Sequence, residues 1–269
     1  ALKQLYPDSQ FETFIETMGA AVQLVFDLVE QHQIDCQAQR TGSVIAGKGA
    51  KAIRYLTEWS QFWTQTGAEV SLLDKHASTE LIGTSHYDRS MLDSRGGSLQ
   101  PLAYCRGLAR ACHKRGVTLH GDSQAVRVSP NGKGWQVFTS AGSVKCKRLV
   151  LATNGYTDNL WPGLAQTIVP VASMLTATSP LPESVASTLL PHRQPVGEYA
   201  GVPAYYRVDE TNRLVFGWRG TLSGEIGSLN TTHLRSKARR LFPQIMGAEW
   251  EYDWAGYVGI TSHQRAMLL

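Results

Sequence analysis

The chain has 269 residues, 42% hydrophobic and 18% charged, a balance that suits a folded protein and excludes wholesale disorder. Its net charge of +4 comes from scattered basic residues, densest at Arg235, Lys237, Arg239 and Arg240, so no nucleic-acid partner is expected. No apolar run reaches the roughly 18 residues a membrane-spanning helix needs, and no signal peptide is recognisable, so no membrane partner is expected either.

Phe11, Phe14, Ile15, Met18, Val22, Val25, Phe26 and Val29 recur at helical spacing and predict an amphipathic helix over residues 8–32. A strand at 40–46 follows, then a helix at 50–66 stopped by Gly67, and a short helix at 74–82 capped by Asp74. Pro101 in a first helical turn and Gly116 past the end bracket a helix from 101 to 113. Short strands are expected at 117–120, 124–129, 134–139 and 143–151, with Asn131-Gly132 as a turn. Within the last of these, Leu149, Val150, Leu151 and Ala152 predict a buried strand of the parallel type, broken at Thr153-Asn154-Gly155. Open α/β sheets hold ligands beyond the carboxyl ends of their strands, so a cofactor is expected at that break. Strands at 168–178, 203–208, 213–219 and 250–260, with a helix at 230–242, then suggest a mixed, largely antiparallel sheet.

Cys36, Cys105, Cys112 and Cys146 form no CxxC pair and have no histidines at zinc-site spacing. Cys105 and Cys112 share a helix face beyond a disulfide's reach, and a reduced, cytoplasmic setting is the expectation. The eight histidines show neither HxH nor HExxH, and there is no Gly-x-Ser-x-Gly elbow, so metal and hydrolase chemistry lack support.

Three segments resemble the D-amino-acid oxidase or glycine oxidase superfamily, in particular its glutamylputrescine-oxidoreductase-like members. GGSLQPLAYCRGLARACHKRGVTLH (residues 96–120) is similar to the family's turn and helix before the strand that approaches adenine. VRV and KRLVLATNGYT (within residues 126–157) are similar to the strand and turn over the FAD adenosine and pyrophosphate. WAGYVGIT (residues 254–261) is similar to the strand that leads back into the cofactor domain.

The resemblance implies an α/β fold of mixed α+β character: a partial, Rossmann-like FAD-binding domain and a substrate domain with a mixed, largely antiparallel sheet and helices. Residues 1–88 and 166–258 would form the substrate domain, 89–165 the FAD-binding part, and 259–269 the return to it. FAD would meet the backbone of Val126 and the turn Ala152, Thr153, Asn154 and Gly155. A small amine or amino acid, oxidised at its C–N bond to an imine, would lie against Tyr205, Tyr206, Trp218 and Arg219, the arginine fork suiting a carboxylate. No catalytic residue is assigned. In sarcosine-oxidase-like relatives a lysine on this strand helps oxygen react; the corresponding position here is Val215, which leaves oxidase and dehydrogenase both open.

The family opens with a GxGxxG loop that lets the backbone approach the pyrophosphate, and neither Gly47-Lys48-Gly49 nor Gly132-Lys133-Gly134 supplies one. The expectation is therefore a piece of such an enzyme, cut at both ends and unable to hold FAD by itself. From the residues alone, Asn154-Gly155 also reads as a plain turn, and the four substrate candidates as a half-buried sheet face. The competing function is a non-enzymatic binding module that keeps the substrate sheet without the cofactor.

Overall fold

The computed structural model describes residues 8–219 and 230–261. Its elements in chain order are α1 (Asp8–Gln31), β1 (Ser43–Gly47), α2 (Ala50–Gln65), β2 (Val70–Leu73), α3 (Lys75–Ile82), β3 (Arg89–Asp93) and α4 (Pro101–Lys114). There follow β4 (Ala125–Asn131), β5 (Gly134–Thr139), β6 (Ser143–Cys146), β7 (Ile168–Thr178), α5 (Glu183–Ala186), β8 (Val196–Tyr199), β9 (Ala204–Val208), β10 (Leu214–Arg219), α6 (Thr232–Leu241) and β11 (Trp250–Thr261). The expected return segment at 259–269 lies outside the described residues beyond Thr261.

The strands make one eight-stranded sheet, ordered β11-β7-β10-β9-β8-β1-β3-β2, and a three-stranded sheet, β4-β5-β6. The large sheet is mixed, as the sequence predicts: β1 and β8 run parallel while the other ladders, from β11 across to β8 and from β1 to β2, are antiparallel. β3 is hydrogen-bonded between β1 and β2, so residues 89–93 go with the large sheet.

Local chemistry starts and stops the helices as expected. The Asp74 carboxylate accepts the Ala77 N–H at 2.9 Å to cap α3, and Gly83 ends it at a φ of 81°. Gly83 is required twice over, since a Cβ there would come within 2.0 Å of the Thr188 carbonyl oxygen. On α6, Leu234, Ala238 and Leu241 fall on one stripe and are 0%, 0% and 2% exposed against the sheet. With Leu214, Phe216, Val208 and Phe242 they form the main apolar core.

Two expectations are corrected. Residues 147–153 form no strand, and Val150 is 83% exposed: a buried parallel strand needs neighbours on both sides, and none of the described strands flanks this segment. Residues 117–120 are likewise unladdered, with Val117 and Leu119 exposed. α1 forms over the expected stretch, its apolar stripe half-buried except for Met18 and Val22, which are exposed, and Phe26, which is buried beneath the Arg40 guanidinium.

Phe216→Ala should therefore cost about 3–5 kcal/mol of stability in urea unfolding, whereas Val150→Ala should change it by less than about 0.5 kcal/mol. A large loss at Val150 would restore the buried strand.

Candidate functional site

Strand alternation divides the expected substrate residues between the two faces of the large sheet. Tyr206, Phe216 and Trp218 share the face covered by α6, whereas Tyr205, Arg207, Val215 and Gly217 share the other. Arg219 closes β10 opposite Ser173; its side chain lies outside the described residues.

The covered face holds a chain of polar groups. The buried Tyr206 hydroxyl donates to Tyr87 Oη at 3.0 Å, and Tyr87 donates to Glu198 Oε1 at 2.8 Å. Glu198 Oε2 accepts the Ala204 N–H at 3.0 Å and pairs with Lys237, whose ammonium lies 4.9 Å from the Trp218 ring. Burial, with Tyr206 and Glu198 alongside, pushes the Tyr87 phenol far up, and burial does the same to Tyr206. These phenols stay protonated and hold the core together. Tyr206 and Trp218 are thus built into packing.

On the opposite face, the Tyr205 ring lies across Gly217, where a Cβ would come within 2.1 Å of it. Its hydroxyl is hydrogen-bonded to Ser173 on β7, and burial raises its pKa. Gly197, the cross-strand neighbour of Tyr205, faces open space. Beside this pinned ring is a small apolar cleft walled by Leu175, Pro195, Tyr205, Arg207 and Val215. The sequence reading missed Ser173, Gly197, Arg207 and Gly217. The signal was available in the alternation of Ala204-Tyr205-Tyr206-Arg207-Val208, which pairs Tyr205 with Arg207 and not with Tyr206.

The expected cofactor residues lie apart from this cleft in sequence and sheet. Asn154, at a φ of 47°, begins a short 3-10 turn, and its Oδ1 accepts the Gly259 N–H of β11 at 2.7 Å. Gly155 is buried against β11, a Cβ there coming within 2.7 Å of the Tyr257 carbonyl carbon, and Tyr156 Oη accepts the Tyr257 N–H at 3.1 Å. The turn therefore docks onto the large sheet. Ala152 and Thr153 precede it on the exposed segment. Val126 is 60% exposed and is skipped by the β4–β5 ladder, where Ala125 pairs with Thr139 and Arg127 with Phe138. It lines an open cleft between residues 124–128 and the loop carrying Asp158, Leu160 and Pro162. Trp161 holds that loop edge-on against Trp135, 5.3 Å between ring centroids. Among the described residues no cluster of histidine, cysteine and acidic side chains could hold a metal, and no helix is long and apolar enough to cross a membrane.

A mixed eight-stranded sheet is thus joined through a docked turn to a separate three-stranded sheet. A family profile described as DAO, FAD dependent oxidoreductase, matches residues 4–267. The chain belongs to this family. It is 26% identical over 245 residues to the probable oxidoreductase OrdL of Rhizobium meliloti, covering 90% of this chain and 56% of the relative. It is 27% identical over 242 residues to the gamma-glutamylputrescine oxidoreductase of Escherichia coli, covering 89% of this chain and 56% of that protein. The chain thus spans little more than half the length of these relatives. The same fold occurs in glycine oxidase from Geobacillus kaustophilus, with a TM-score of 0.75 at 20% identity over 93% of this chain and 67% of that one. It occurs also in L-proline dehydrogenase from P. horikoshii, with a TM-score of 0.78 at 16% identity over 91% and 67%.

Asn154→Ala in the 269-residue chain should speed hydrogen exchange at the Gly259 amide and lower stability by about 0.5–1.5 kcal/mol, the worth of one hydrogen bond. Unchanged exchange at Gly259 would show that the turn is not docked in solution.

Proposed function

We propose that this chain forms the substrate side of a FAD-dependent oxidoreductase that oxidises the C–N bond of a small amine or amino acid. The observation that carries the reading is the open face of the large sheet, where a pinned Tyr205 ring, a bare Gly197 and an apolar cleft stand together. Small-molecule sites combine such apolar walls with a few fixed polar groups. The relatives whose names state a substrate act on gamma-glutamylputrescine, glycine and L-proline, all amines or amino acids.

The domain division follows the ladders: residues 8–93, with β3 included, and 168–258 make the substrate part, and the small sheet with residues 147–157 makes the cofactor edge. That edge fits the adenosine half of the cofactor. Val126 stands exposed at the register shift of its ladder, which leaves its edge open to the approach of a purine. Ala152 and Thr153 would lie beside it, while Asn154 and Gly155 hold the turn to β11. No glycine-rich phosphate loop occurs in the sequence, so the residues present fit the adenosine end and not the pyrophosphate.

When bound, FAD supplies the acceptor for the electrons of the amine carbon. The chain's own residues bind and orient. Tyr205, fixed by Ser173 and Gly217, forms a rigid wall that restricts substrate orientation. Leu175 and Val215 exclude water from its side. The docked turn ties the cofactor edge to β11, and through β7 to β10 and β9, so the two binding surfaces share one rigid ladder.

The test is anaerobic mixing of glycine, L-proline and gamma-glutamylputrescine with a flavin-loaded protein in which this chain is joined to the glycine-rich phosphate loop its own sequence lacks, while the visible flavin absorbance is followed. At least one should bleach it; bleaching by none would overturn the proposal. Tyr205→Ala should lower the efficiency of bleaching about tenfold, the scale of one aromatic contact of about 1.4 kcal/mol, with flavin content unchanged. Tyr206→Ala should instead lower thermal stability.

A further inference from the structure

We infer that the junction of α1 and α4 is a binding site for a phosphate group, held by Arg110, Lys114 and Arg115 together with His32 and Gln33. The site shares no residue with the cleft beside Tyr205 or with the turn at Asn154. It goes beyond the oxidoreductase reading and does not rest on it.

The packing that builds the site is close. Ile34 is only 6% exposed and lies against Gly107, where a Cβ would come within 2.1 Å of the Ile34 Cγ2. Helix α4 thus seats directly on the chain that leaves α1, and a cavity of about 160 Å³ opens beside that contact. Its apolar walls are Ile34, Gly107 and Ala111; the other five residues are polar or charged. That is room for several waters or for one tetrahedral oxyanion.

Charge at this junction is uncompensated. Elsewhere Arg95 pairs with Asp93, Arg213 with Glu251, Arg235 with Asp253 and Lys237 with Glu198. Arg110, Lys114 and Arg115 have no such partner among the described residues. α4 carries no acidic residue, and Arg110 and Lys114 stand four apart, the spacing at which like charges oppose a helix. Glu30 and Asp35 flank the turn in sequence, but both are exposed and neither lines the cavity.

Helix C-termini attract cations, and both α1 and α4 end at this junction. Capping does not account for the cluster, however. The carbonyls of residues 28–30 and 111–113 are already taken by backbone N–H groups of residues 32–34 and 115–117. Arg110 also lies a full turn before the end of α4. Gln33 is an independent sign. It occupies the left-handed position after α1, at a φ of 49°, where glycine is the least strained choice. The long side chain kept there lines the cavity, and its amide can donate to an oxyanion.

Two guanidiniums, an ammonium, an imidazole and an amide together present donors on several sides. A phosphate group has the oxygens and the charge to engage them, whereas a monocarboxylate fills one arginine fork.

The test is an NMR titration of the isotopically labelled chain, at fixed ionic strength, with inorganic phosphate, glycerol 2-phosphate and acetate, each alone. Both phosphates should shift the Gln33 and Ala111 amides saturably, with acetate at least about tenfold weaker. Tighter binding of the ester would identify a phosphorylated small molecule as the ligand, and tighter binding of inorganic phosphate the free ion. Replacing both cations, Arg110→Gln with Lys114→Gln, should weaken phosphate binding about ten- to a hundredfold, the scale of a hydrogen bond to a charged group. Without phosphate the double variant should melt no lower than the unaltered chain, because only like-charge repulsion is lost. Gln33→Gly should raise the melting temperature and weaken phosphate binding. Shifts no stronger than those from acetate, shifts that never saturate, or phosphate binding unchanged in either variant would overturn the proposal. Should a variant fail to fold, the comparison of phosphate with acetate on the unaltered chain still decides.

Discussion

The Glu198 carboxylate is the constraint on which the rest of the large sheet depends. Its side chain is only 5% exposed, and a buried charge survives only when its oxygens are fully engaged. They are met by the Tyr87 hydroxyl, the Ala204 N–H and Lys237. Those partners come from the loop before β3, from β9 and from α6, so one carboxylate on β8 joins four parts of the chain. Withdrawing Lys237 would leave an uncompensated charge costing about 3–5 kcal/mol, and withdrawing either neutral donor would leave an unmet oxygen costing about 1–3 kcal/mol. With α6 fixed to this face, Tyr206 and Trp218 are committed to packing, and the opposite face of the same strands stays free to meet a ligand.

A second, smaller joint links that face to the proposed cofactor edge. Asn154 and Tyr156 each receive a backbone N–H from β11, and Gly155 leaves room for the strand to approach. β11 is laddered to β7 along its length, and β7 carries Ser173, which holds Tyr205. The turn and the pinned ring therefore belong to one continuous hydrogen-bonded unit, which is what precise placement of substrate against cofactor requires.

Much of this was legible in the sequence. Helix caps and stops at Gly67, Asp74, Pro101 and Gly116 rest on local chemistry, and the long strands β7 and β11 on composition, so both were readable residue by residue. β8 was not, because Val196–Tyr199 is short and carries no strand pattern of its own; it becomes a strand through neighbours on both sides, including a parallel partner far away in sequence. The run at 149–152 misled in the opposite direction, since apolar composition promises burial but only neighbouring strands deliver it. At the site, Tyr205 and Tyr206 look interchangeable until strand parity is imposed.

The most direct measurement is a crystal structure of the flavin-loaded protein with a slowly reacting carboxylated amine bound. The account predicts ligand density on the open face, in contact with the Tyr205 ring and Val215, with the α6 side undisturbed. Density lodged instead between Trp218 and α6, or a ligand that reaches the flavin without touching β9 or β10, would contradict it.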